Sequence, residues 1–231
     1  MSAVDWRSLT PADTERLSVR VLRPAHRSRP EVRLISLNGE RAVVKDYARG
    51  ANWFKRLLGA FLVRREATAL RRADGVERVP RLLALPSPCL LVTSYLDAVG
   101  LGTPGAPEID ERFCDLLEAI IDKLHDRGIA HGDLEKLDNI LITPGAEPAL
   151  VDFTSAIMSG ANAGAAFALP EVMKNDRRAV CKLKAKLAPE LLSEEERRLL
   201  HSRSPLESWF RSWRGYIRRP VKRLSDGGTD G

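Results

Sequence analysis

The chain has 231 residues, 44% of them hydrophobic and 29% charged. That balance excludes disorder, collagen and coiled coil as descriptions of the whole chain, and it suffices for one large domain or two small lobes around a shared cleft. The formal net charge of +6 is matched by six cations between Trp209 and Leu224 (Arg211, Arg214, Arg218, Arg219, Lys222 and Arg223), a stretch without a single acid. The first third reads as strands. Leu17, Val19 and Val21 alternate with other residues, Val32, Leu34 and Ile35 follow, and Asn38-Gly39 turns the chain into Ala42-Val43-Val44-Lys45. An Asn-Gly pair between β-prone runs predicts a hairpin, so three antiparallel strands are expected over about residues 17–46. Trp53, Phe54, Leu57, Leu58, Phe61 and Leu62 then recur at helical spacing as an amphipathic face, continued by Glu66, Ala69 and Leu70. Two more strands are expected at Leu82–Leu85 and Cys89–Tyr95. The breaker-rich run from Gly100 to Pro107 places a lobe boundary there. Beyond it, Phe113, Leu116, Leu117, Ile120, Ile121 and Leu124 form one helical stripe stopped by Gly128. Short strands follow at Ile140–Ile142 and Ala149–Val151, joined by a turn at Pro144-Gly145, and the remainder reads as mostly helical. Ser193 and Glu196 have the form of a capping box.

Cys89, Cys114 and Cys181 are too few and too scattered for a disulfide framework or a zinc knuckle, which points to a reducing compartment. No apolar run reaches the ~18–20 residues that span a bilayer. The N-terminal run carries acids and no hydrophobic stretch, unlike a secretory signal. The expectation is a soluble, cytoplasmic protein.

Two acids stand at the ends of structured segments, Asp133 in HGDLEKLDNILI and Asp152 in LVDFTSA, with Asn139 between them. An Asp and an Asn close together suit Mg2+, a hard cation that prefers oxygen, while a second Asp can orient or deprotonate a hydroxyl. These are the parts that phosphoryl transfer requires. Lys45 offers the phosphates a cation, with Glu66 on the following helix as its ion-pair partner. Alone, Lys45 reads more readily as a strand-edge lysine, and the alternative for Glu66 beside Arg64 and Arg65 is a solvated helix face. His131 reads as a scaffold for the loop backbone.

The order Val-Val-Lys45, a helix bearing Glu66, a hinge, His131-Gly132-Asp133 with a later Asn139, then Asp152-Phe153 resembles the protein-kinase-like superfamily over roughly residues 15–190. More narrowly, HGDL, the extra loop residue before Asn139-Ile-Leu and the later NDRRAVCKLKAKLAPELLSEEER are similar to the bacterial lipopolysaccharide core (Kdo and heptose) kinases and the nearby RIO-like kinases. The resemblance implies an α+β, two-lobed protein-kinase-like fold. Its small antiparallel-sheet N-lobe with one helix covers residues 1–100, and its truncated, mainly helical C-lobe covers 101–208. It implies ATP and Mg2+ as cofactors, with Asp133 the catalytic base, Asn139 and Asp152 the metal ligands, Lys45 the phosphate contact and Glu66 its partner. Thr93, Tyr95 and Leu96 are then the hinge against adenine. Asp138 competes with Asn139 for the ligand role, and Asn139 is preferred because it directly precedes the strand.

The sequence departs from the superfamily in places. The turn Pro24 to Pro30 lacks glycines, and Arg27 and Arg29 are expected to meet phosphate by charge instead. Gly132 stands where many kinases carry an arginine, Thr154 replaces the glycine after Asp-Phe, and no Ala-Pro-Glu motif follows. The expected acceptor is a sugar hydroxyl of a lipopolysaccharide core or related glycolipid. The alternatives are a RIO-like protein serine/threonine kinase and a membrane-tethered pseudokinase or nucleotide-sensing scaffold. Residues 209–224 interleave aromatic side chains with cations, which suits an anionic membrane surface and a peripheral position on it.

Overall fold

The computed structural model describes residues 5–26, 29–49 and 52–201. Arg27 and the basic aromatic segment 209–224 therefore lie outside the described residues. The chain divides into two compact units. Among the described residues, one comprises those up to Arg64 with Leu82–Tyr95, the other Arg65–Arg81 with those from Leu96 to His201.

The first unit opens on α1 (Pro11–Arg16), whose start is closed by a reciprocal cap between Thr10 and Asp13. A five-stranded antiparallel sheet follows, built from β1 (Ser18–Arg23), β2 (Glu31–Leu37), β3 (Glu40–Asp46), β4 (Leu82–Ser87) and β5 (Leu90–Ser94) in the order β1-β2-β3-β5-β4. Asn38 and Gly39, at φ 52 and 84°, form the expected hairpin turn. Ile35, Ala42, Val44, Ala84, Leu90 and Val92 send their side chains into one core, which Trp6 and Leu9 cover. The indole N–H of Trp6 donates to Glu40 at 3.2 Å, giving that large ring a polar anchor. Arg33 is buried and ion-paired to Glu15 at 2.6 Å and Asp46 at 3.4 Å. Its hydrogen bond holds the Glu15 carboxyl below the usual range.

α2 (Trp53–Arg72) continues through the division between Arg64 and Arg65. Its packing departs from the sequence expectation. The buried row is Gly59, Val63, Glu66, Ala67 and Leu70, while Trp53, Leu57 and Phe61 face solvent. Both sides of this helix are apolar near its start, so periodicity alone does not choose the buried one.

The second unit contains β6 (Val99–Gly100), α3 (Glu111–Asp126), β7 (Ile129–Ala130), β8 (Ile140–Ile142), β9 (Pro148–Leu150), β10 (Ile157–Met158), α4 (Ala163–Leu187) and α5 (Glu194–His201). Asp110 caps α3 by accepting the Phe113 N–H at 2.8 Å. The stripe Phe113, Cys114, Leu117, Ile120, Ile121 and Leu124 is buried, each large apolar side chain contributing about 1.5–3 kcal/mol. Gly128, at φ 67°, ends the helix where a Cβ would collide with the Ser159 side chain. β6, β8 and β9 form a three-stranded antiparallel sheet, and β7 pairs with β10. α4 packs on α3. α5 starts with the expected Ser193–Glu196 box and is tied to α4 by Lys184, which reaches Glu118 at 2.7 Å and Glu196 at 2.6 Å. No helix among the described residues is long and apolar enough to cross a membrane.

All three cysteines are buried and unbridged. Burial pushes the thiols of Cys114 and Cys181 up to about 11 and raises Cys89 as well. Only the thiolate is a nucleophile, so the folded protein is expected to resist iodoacetamide at mildly alkaline pH, all three sites reacting after unfolding in urea. Mass spectrometry of the native protein showing one alkylated cysteine at high yield would contradict this burial.

Candidate active site

The hairpin β8–β9 fixes two of the three residues singled out by sequence. Ile140 pairs with Leu150, so Asn139 and Asp152 emerge from the same end of the ladder, and the Val151 N–H closes it on the Asn139 carbonyl at 3.0 Å. Asn139 is buried, only 3% exposed. Its Nδ2 donates to the Asp133 backbone carbonyl at 2.9 Å and to Asp133 Oδ2 at 3.3 Å. Asp138, by contrast, is exposed and lies beside Gly102, where a Cβ would approach Asp138 Oδ1 to 2.8 Å. Of the two competing neighbours, then, it is Asn139 whose side chain reaches Asp133.

Asp133 also accepts from Lys136 Nζ at 3.4 Å, which sets a cation beside its Oδ2. Upstream, the loop is held by a residue that local sequence reading passes over. Asp176, 2% exposed on α4, accepts the His131 N–H at 2.7 Å, the Gly132 N–H at 2.8 Å and His125 Nε2 at 3.2 Å. A carboxylate gathering two consecutive amides clamps the backbone directly before Asp133. Gly132 lies at φ 75°, and a Cβ there would meet the Ser155 carbonyl at 2.9 Å. Both facts require glycine at this position.

His131 is fully buried and serves the loop as expected. Its Nδ1 accepts the Asp133 N–H at 3.4 Å, so Nε2 carries the proton and donates to the Val151 carbonyl at 3.0 Å. Its ring packs on Phe153, with centroids 4.8 Å apart. One imidazole thereby joins the Asp133 loop to the strand end that presents Asp152. Asp152 itself adopts the left-handed conformation, φ 69° and ψ 67°, which Asp tolerates better than most residues. Its Oδ1 accepts from the Thr154 hydroxyl at 2.7 Å, an interaction that a glycine at that position could not make.

Glu66 is buried in the second unit, 2% exposed, which removes the reading as a solvated helix face. Its neighbour Arg65 is not a surface cation either. Its Nε donates to the Ala156 carbonyl at 2.9 Å and its Nη2 to the Ser155 carbonyl at 3.1 Å, pinning the chain that follows Asp152. Burial lowers the proton affinity of this guanidinium.

In the first unit, Lys45 is half-buried on β3 between Val32 and Leu91, on the sheet face opposite to Ala42 and Val44. Thr93 is buried on β5. Tyr95 closes the strand, its N–H on the Arg41 carbonyl at 3.4 Å and its ring 4.4 Å from the Arg41 guanidinium carbon. The division between the units falls at Tyr95 and Leu96. Arg29 is exposed in the β1–β2 turn, bridged to His26.

Asn139 and Asp152 offer two oxygen ligands from one rigid hairpin end, and no cluster of three or more His, Cys, Asp or Glu suited to a metal occurs among the described residues. That set fits Mg2+, which characteristically takes one or two carboxylates together with substrate phosphates rather than an all-protein cage. The sequence matches the RIO domain over residues 38–188, more than half of the chain. The chain belongs to the RIO family.

The RIO match spans Lys45, Glu66, Asp133, Asn139, Asp152 and Asp176, and leaves out Arg27, Arg29 and residues 209–224. No curated protein matches the chain. Among solved structures it is similar to the Rio2 kinase of Chaetomium thermophilum. To that enzyme's ADP/Mg2+-phosphoaspartate complex the TM-score is 0.58 at 17% identity, covering 84% of this chain and 61% of the neighbour. A second structure of Rio2 kinase from the same organism gives 0.60 at 16%, covering 84% and 63%. The chain thus spans less than two thirds of the neighbours' length. These likenesses establish the protein-kinase-like fold, an antiparallel-sheet part and a mainly helical part. Neither the RIO match nor these neighbours point to the lipopolysaccharide core kinases.

Proposed function

We propose that the protein is an ATP- and Mg2+-dependent phosphotransferase of the RIO type, acting on a serine or threonine hydroxyl of a protein. The observation that carries this reading is the hold on Asp133: its backbone is approached through Asp176, and its Oδ2 is met by Asn139 and Lys136 within a RIO domain. The family match favours this protein acceptor over the lipopolysaccharide sugar.

In this scheme the acceptor oxygen bonds to the γ-phosphorus, the bond from that phosphorus to the β–γ bridging oxygen breaks, and ADP leaves. Asp133 takes the hydroxyl proton, its carboxylate kept in one orientation by the Asn139 amide. Lys136 presents a positive charge where the transferred group passes. Lys45 contacts the α- and β-phosphates, with Glu66 orienting it, and Thr93, Tyr95 and Leu96 receive the adenine. Arg27 and Arg29 supply charge in place of a glycine-rich loop. Held by Asn139 and Asp152, Mg2+ would screen the negative charge on the phosphates.

The test uses γ-phosphate-labelled ATP with the full chain, a mixture of proteins and, separately, lipopolysaccharide. Label is expected on serine or threonine, dependent on Mg2+. In Asp152→Asn the rate is expected to fall about 10²-fold or more, with half-saturation moved to higher Mg2+. Label confined to lipopolysaccharide would establish the sugar acceptor instead. ATP bound without turnover at any Mg2+ concentration would establish a scaffold.

A further inference from the structure

We infer that the exposed face of α2 docks on an anionic bilayer surface. Trp53, Leu57 and Phe61 are 77, 65 and 58% exposed, and their spacing of four residues places them in one row along the helix. The side that packing uses, with Gly59 and Val63, is a different one. Nothing in the described fold needs the outer row to be apolar, yet it presents an indole, a phenyl and an isobutyl group to water. Exposed Arg56 and Arg64 flank it.

From Tyr47 to Arg65 the sequence holds Arg49, Lys55, Arg56, Arg64 and Arg65 and no acid. Arg49 is ion-paired to Glu15 and Glu31, Arg65 donates to carbonyls, and half-buried Lys55 lies on the opposite side of the helix; the exposed cations that edge the row are Arg56 and Arg64, three residues from Trp53 and from Phe61. Charge decides among the possible occupants. A second copy would set the same cations against each other. Residues 202–231 of this chain carry seven Lys or Arg against three Asp or Glu, so they too would meet like charge. Nucleic acid would satisfy the cations but leave Leu57 and Phe61 with little to bury them. An anionic lipid surface answers both features at once, taking the apolar row into the headgroup boundary and the cations at its phosphates. This inference is independent of the proposed catalytic function.

The full chain is sedimented with phosphatidylcholine vesicles with and without phosphatidylglycerol. Binding is expected with the anionic vesicles and to be weaker on the neutral ones. The double substitution Leu57→Glu and Phe61→Glu is expected to weaken partitioning about tenfold or more while thermal unfolding is unchanged. A conservative variant, Trp53→Phe, guards against a folding artefact: with brominated lipid in the bilayer, it should lower the fraction of tryptophan emission that is quenched. The inference is overturned if the full chain ignores anionic vesicles, if the double variant binds them as well as the parent, or if quenching is the same without Trp53. It is equally overturned if the double substitution abolishes binding to a homopolymeric RNA and leaves vesicle binding untouched.

Discussion

Asp133→Asn should leave nucleotide affinity within a few fold of the parent while phosphoryl transfer falls by about 10²–10⁴-fold, the range that a positioned general base contributes. The substitution is close to isosteric. Asn retains a carbonyl oxygen for the Asn139 Nδ2 and Lys136 Nζ that now meet Asp133 Oδ2 at 3.3 and 3.4 Å. The backbone N–H stays on His131 Nδ1, since the side chain has no part in that bond. What disappears is the capacity to take a proton and the negative charge facing Lys136. Because Asp133 touches the acceptor rather than the nucleotide in the proposed scheme, the loss belongs in kcat with the KM for ATP little changed. Fluorescent-nucleotide titration and labelled-phosphate transfer on the same preparation separate the two. Turnover within tenfold of the parent would show that another group accepts the proton.

The elements that sequence reading reached are those whose signals are local. Asn38-Gly39 specifies its hairpin through two positive φ values, the α3 stripe through a single apolar row, and the Ser193–Glu196 box through reciprocal hydrogen bonds three residues apart. Asn139 and Asp152 also carry a local signal, standing at the ends of the short strands β8 and β9, whereas Asp133 lies in the loop between β7 and β8. Two groups that hold the site carry no local signal. Arg65 finds its carbonyls 90 and 91 residues away, and Asp176 finds its amides 44 and 45 residues away. A charged side chain on a helix reads as surface until the backbone that satisfies it is in place, and no periodicity announces that backbone. The choice between Asp138 and Asn139 also needed three dimensions, because adjacent residues in one 3-10 turn point apart, one toward Asp133 and the other toward Gly102. For α2 the difficulty is the reverse. Its start is apolar on two sides, and only the packing of Gly59 and Val63 shows which one faces inward.

Asp176→Ala is expected to destabilise the protein by about 3–5 kcal/mol, because it strands polar groups that cannot reach water. His131 is fully buried, and its N–H, that of Gly132 and the His125 ring all converge on this one carboxylate. Each orphaned donor costs about 1–3 kcal/mol, and the cavity left by the carboxylate adds to it. At about 2–4 °C of Tm per kcal/mol for a protein of this size, the shift is roughly 6–20 °C, well outside calorimetric error. Asp176→Asn keeps one carbonyl oxygen and should lose less, since one of the two amides can still be satisfied. A second readout separates a positioning role from a structural one. Under conditions where the Asn variant remains folded, its kcat should fall more than its affinity for nucleotide, because the released His131-Gly132 backbone lets Asp133 leave its place beside Asn139. Full activity in a folded Asp176→Asn protein would mean that the Asn139 and Lys136 contacts alone suffice to hold the base, and an unchanged Tm in Asp176→Ala would remove Asp176 from the architecture of the site.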